Sequence, residues 1–146
     1  MNFIKALSTG LYLGYFPIFP GTIGSLLGML VYLLVGKNRT IFFITLFFLL
    51  TVGTFSAIKT QLLFKSDDPP EIVIDEITGF FISVAFLPFK LWITILAFVI
   101  FRILDILKPY PISFFHKTSS KFGIMADDIV AGAFTFLIMF IILKIF

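Results

Sequence analysis

Asp75, Glu76, Arg102, Asp105 and Asp128 stand in stretches that are otherwise apolar. An unpaired ionised group in such surroundings costs several kcal/mol, so these residues read as a functional cluster rather than a solvated face. Arg102 and Asp105 are three residues apart, and so are Asp105 and Lys108. One helix end therefore presents a cation, an anion and a cation on a single face. Asp127 and Asp128 stand where the last helix is expected to start; a helix N-terminus stabilises negative charge, and capping accounts for one of the two. Glu71 would share a face with Asp75 if that helix began near Pro70.

These residue types select a chemistry. The chain has no Cys and a single His. Carboxylates without thiolates or imidazoles favour a hard cation held by oxygen, magnesium before zinc. Arg and Lys beside them suit a phosphate, whose oxygens match the guanidinium fork. The segment Pro20-Gly21-Thr22-Ile23-Gly24-Ser25, opening a helix, adds backbone donors for an anion. Metal, phosphate and water together point to phosphomonoester hydrolysis, in which a metal polarises a phosphoryl oxygen and activates water. A rival reading is a non-enzymatic cation transporter or channel lined by the same carboxylates. It would spread polar groups through the bilayer midplane and onto both faces. A solvated loop accounts for Lys65 and Asp67. His116 reads as interfacial beside Phe114 and Phe115, and Trp92 and the tyrosines as belt or packing residues.

The elements that must position this cluster belong in a bilayer. Sixty per cent of the 146 residues are apolar and 13% charged, with 22 Phe. A soluble domain is about half apolar and a quarter charged. The net charge of +3 is too mild to point to nucleic acid. The pattern predicts an all-α fold: a small polytopic bundle, one domain over residues 1–146, with about five apolar helices and an N-terminal interfacial helix over 2–12. The glycines and prolines between Gly14 and Ser25 forbid regular helix there, and they also argue against a cleavable signal. Apolar helices are expected at 25–35, 41–63, 75–87, 91–107 and 129–146, with 112–122, including Lys117 and Lys121, at the interface. Threaded alternately through a membrane, this order sends all eight acids to one side. That side also takes seven basic residues against four, so the positive-inside bias makes it cytoplasmic.

Four segments carry a resemblance. They are Phe16-Pro17-Ile18-Phe19-Pro20-Gly21-Thr22-Ile23-Gly24-Ser25, Asp68-Pro69-Pro70-Glu71-Ile72-Val73-Ile74-Asp75-Glu76-Ile77-Thr78-Gly79, Phe101-Arg102-Ile103-Leu104-Asp105-Ile106-Leu107-Lys108-Pro109-Tyr110-Pro111-Ile112 and Gly123-Ile124-Met125-Ala126-Asp127-Asp128-Ile129-Val130-Ala131-Gly132. In order and spacing they resemble the bacterial phosphatidylglycerophosphatase A family. The resemblance implies a magnesium-dependent enzyme of the bacterial inner membrane that converts phosphatidylglycerophosphate to phosphatidylglycerol. It implies membrane lipids as surroundings and no obligatory protein partner. The family's charged positions fall on Asp75, Glu76, Arg102, Asp105, Lys108, Asp127 and Asp128. In this reading Asp75, Asp105 and Asp128 are catalytic. Arg102, Lys108, Gly21, Thr22 and Ser25 bind phosphate, and Asp75, Glu76, Asp127 and Asp128 hold the metal. An acid-phosphatase-type lipid phosphatase would need a second His, and a CDP-alcohol transferase a DxxDGxxAR helix; the chain has neither.

Overall fold

Proline and glycine mark where the helices start and stop, though not always as breakers. A computed structural model describes residues 2–116 and 122–146 and is helical, with no strand among them. Helix α1 spans Asn2–Ser8 and ends four residues short of the expected 12. Gly10, Leu11 and Tyr12 follow with positive φ, at 56°, 57° and 68°, a conformation that cannot continue a right-handed helix. A 3-10 turn, Leu13–Tyr15, leads to α2, Pro20–Val35. This helix begins five residues before the expected start. Pro20 sits in its first turn, where a missing N–H costs nothing and a preset φ helps.

Helix α3 runs Arg39–Phe64, continuous through a π-type turn at Leu49–Gly53. Asn38 caps it, accepting from the Thr40 and Ile41 amides at 3.0 and 3.2 Å. Then come α4 (Ile74–Val84), α5 (Leu91–Leu107), α6 (Ile112–His116) and α7 (Gly123–Ile145). Lys117 and Lys121 of the expected interfacial stretch lie outside the described residues.

Helix α4 is the centre. Below its first turn it carries no charge, and Ile77, Phe80, Phe81 and Val84 are buried. Helices α2, α3, α5 and α7 all pack on it. At eleven residues it is about 16 Å long, too short to cross a ~30 Å hydrocarbon core alone. Among the described residues two helices are long and apolar enough to do so, α3 with 26 residues and α7 with 23. Only 28% of the apolar 18-residue stretch in each is buried inside the protein, so both turn most of that stretch outward. Their outward faces are apolar, with Ile44, Phe47 and Phe55 exposed on α3 and Leu137, Phe140 and Ile141 on α7. The interior, by contrast, holds hydroxyls. Thr78 and Thr135 donate to the carbonyls one turn back at 2.7 and 2.8 Å, and Ser8 and Thr60 share a 2.8 Å bond. An apolar exterior over an interior with self-satisfied polar groups suits a lipid solvent.

The two ends of the bundle differ. At one, Tyr32 packs its ring against Phe42, Phe80, Phe81 and Phe89, and Arg39 donates to the Ala85 carbonyl at 2.7 Å. The other end carries the acids.

Candidate active site

The first turns of α2, α4 and α7 and the last turns of α5 meet around a cavity of about 350 Å³. Asp75 and Glu76 enter it from the first turn of α4. Asp128 enters from α7. That helix starts at Gly123, six residues before the expected 129, so Asp127 and Asp128 stand in its second turn. They are not caps. Both are only 3% exposed; their sequence position pointed to a helix start because the apolar run was read as beginning at 129.

One oxygen from each of Asp75, Glu76 and Asp128 lies within 4.8 Å of the others. Asp75 Oδ1 and Glu76 Oε2 are buried and accept no hydrogen bond. Three carboxylates this close repel one another, and burial raises the cost further. A hard cation among them would remove both penalties, and an all-oxygen donor set of this spacing fits one. The approach depends on two glycines one turn deeper. A Cβ on Gly132 would overlap the Gly79 carbonyl, and a Cβ on Gly79 would lie 2.6 Å from the Asp128 carbonyl oxygen. Small residues at that crossing let α4 and α7 approach closely, and so bring their acids together.

The cations come from α5. Arg102 Nη1 donates to the Asp105 carboxylate and, at 3.2 Å, to Ser25 Oγ. Its Nη2 donates to Thr22 Oγ1 at 3.2 Å. Its Nε is buried without a partner. Lys108 follows the helix with φ 43°, a left-handed cap that turns its side chain back toward α7. Its ammonium donates to Asp127 and stands 4.0 Å from Asp105 Oδ1. Burial pulls the Lys108 pKa down, but the hydrogen bond and charge of Asp127, with Asp128 and Asp105, outweigh it. The result is raised above the ordinary value, so Lys108 is a cation at neutral pH.

The cavity wall therefore includes eight of the residues anticipated from sequence: Gly21, Asp75, Glu76, Arg102, Asp105, Lys108, Asp127 and Asp128. Asp127 bonds to Lys108 and is not part of the three-carboxylate group. Thr22 and Ser25 do not line the cavity; their hydroxyls reach Arg102. Glu71 precedes α4 instead of sharing its face with Asp75. Phe19, Asp68, Pro69 and Pro70 also line the cavity, although residue type alone gave them no role. Their signal was position, since each lies in a segment that also carries charged or Gly-rich site residues. The backbone of His116 closes α6.

A profile of the family described as Phosphatidylglycerophosphatase A matches residues 6–143. The chain belongs to that family. A Haemophilus influenzae protein named Phosphatidylglycerophosphatase A is 39% identical, covering 97% of this chain and 90% of its own length. An Escherichia coli protein of the same name is 36% identical, covering 93% and 81%. A Bacteroides thetaiotaomicron protein provisionally named a phosphatidylinositol-3-phosphatase is 31% identical, covering 91% and 89%. No solved structure matches the chain. As a member of the phosphatidylglycerophosphatase A family the chain is a phosphatase, and the non-enzymatic transporter reading gives way to it.

Proposed function

We propose that the protein hydrolyses phosphatidylglycerophosphate to phosphatidylglycerol and inorganic phosphate, for phospholipid biosynthesis, at the cytoplasmic side of the bacterial inner membrane. The names of the two relatives above 35% identity support this substrate. The observation that carries the chemistry is the carboxylate trio with unpartnered oxygens, opposite Arg102 and Lys108 on one cavity. Magnesium is the proposed cofactor, held by Asp75, Glu76 and Asp128. When bound, such an ion polarises a phosphoryl oxygen and makes water more acidic.

The chain's own groups do the rest. The net reaction adds water across a P–O bond: its oxygen goes to phosphorus and a proton ends on the glycerol oxygen. Arg102 takes a phosphoryl oxygen with its unpaired Nη2 N–H, and Lys108 adds positive charge where negative charge builds. Asp105 holds Arg102 in place and stands near Lys108. Helices α2 to α5 and α7 make the membrane body, with α1 at the interface. In this arrangement α4 needs no span of its own, because the other four enclose it.

The test is phosphate release from phosphatidylglycerophosphate by the detergent-purified protein. Release should require magnesium and stop on adding EDTA. Asp75→Asn and Asp128→Asn should each lose at least ~100-fold, the usual scale for removing a group that stabilises developing charge. Asp67→Asn, whose side chain is exposed, should stay near wild type. A higher kcat/KM on phosphatidylinositol 3-phosphate than on phosphatidylglycerophosphate would reassign the substrate. Full activity in EDTA would remove the metal.

A further inference from the structure

We infer that Thr22 and Ser25 are positioning residues for Arg102 rather than phosphate ligands, an inference that rests on the proposed role of Arg102. The two hydroxyls come from the first turns of α2, three residues apart, and so share a face. Both meet the same guanidinium, at 3.2 Å each. Ser25 is fully buried, and its own proton goes to the Gly21 carbonyl at 2.9 Å. Its oxygen is thereby left as an acceptor facing Arg102.

A guanidinium carries five N–H groups in a rigid plane. Both on Nη1 are engaged, by Asp105 and Ser25, and one on Nη2 is engaged by Thr22. The group on Nε and the second on Nη2 have no partner among the described residues, and Nε is buried. The three contacts thus fix the plane and rotation of the ring on the cavity wall, leaving one N–H on Nη2 to offer. An arginine on a flexible stem loses rotamer freedom on binding; one already clamped loses less. Gly21 leaves room beside the clamp: a Cβ there would overlap the Glu76 carboxylate and lie 3.3 Å from Arg102 Nη2, so the Glu76 side chain would have to move.

The experiment is a mutant cycle on phosphatidylglycerophosphate hydrolysis. Thr22→Val and Ser25→Ala should each lower kcat/KM by roughly tenfold in the native background, the scale of one hydrogen bond to a charged group. In an Arg102→Lys background the same changes should cost less than about twofold, because residues that act through one partner are non-additive. Thr22→Ser should restore near-native kcat/KM, a rescue that needs no second background. Undiminished losses in the Arg102→Lys background would overturn the inference, since the hydroxyls would then act on the phosphate or the fold directly. A double Thr22→Val, Ser25→Ala variant at the native rate would overturn it as well. Failure of the underlying reading is visible separately: Arg102→Lys alone would then turn over at the native rate.

Discussion

Arg102 is the residue on which the phosphate chemistry can be tested most sharply. An arginine in the last two turns of an apolar helix is expensive unless paired, and here Asp105 supplies the pair from the next turn. If charge alone mattered, lysine would serve. A guanidinium held in a fixed plane can bond Asp105, Ser25, Thr22 and a phosphoryl oxygen at once, and a lysine ammonium has no such fork. Arg102→Lys is expected to lose at least ~100-fold in turnover, about 2.7 kcal/mol. Magnesium affinity, read by thermal shift, should change little, because Arg102 is not among the three converging carboxylates. The spacing of Arg102, Asp105 and Lys108 was legible in the sequence, since i, i+3 positions meet on any helix. The pairing of Lys108 with Asp127 was not. It joins residues nineteen positions apart, through a left-handed cap that residue type alone does not announce.

Among the elements, the decisive contact is the crossing of α4 and α7. Gly79 lies one turn after Asp75 and Gly132 one turn after Asp128, so the two glycines act as a spacer beneath the acids. Gly132→Ala is expected to push the helices apart and cost about 1–3 kcal/mol of stability through overpacking. Activity should fall further than folding does, by roughly 100-fold for a displacement near 1 Å. Circular dichroism and phosphate release on one preparation would check this; a folded variant with native turnover would show that the carboxylates tolerate a looser crossing. Helices α1 to α5 and α7 were readable from the sequence pattern, α6 was not, and 91–107 was bounded correctly. The starts of α2 and α7 were placed late. Pro20 and Gly21 read as breakers in isolation, but they stand in a first helical turn, where those residue types are tolerated, and α7 begins ahead of its apolar run, through Asp127 and Asp128.

For the whole molecule, the orientation of the bundle is expected from where charge gathers. The cavity, with Asp68 on its wall, lies at one end; the turn after α2, Gly36 to Asn38, lies at the other. The chain has no native cysteine, so single substitutions report topology cleanly. Ser66→Cys is expected to resist a membrane-impermeant maleimide in intact cells and react after permeabilisation, while Asn38→Cys reacts from outside. The reverse pattern would turn the active site away from the cytoplasm.

The sequence by itself determined the helical fold, the apolar character of its helices and the set of charged residues. These follow from composition, period and side-chain type, which are local properties. Tertiary structure decided how the set divides. Asp75, Glu76 and Asp128 converge, Asp127 turns to Lys108, and Thr22 and Ser25 turn to Arg102. Each of these is an interhelical distance set by how closely α2, α4, α5 and α7 approach, and that depends on which glycines happen to face one another. A one-dimensional pattern carries the glycines but not their contacts.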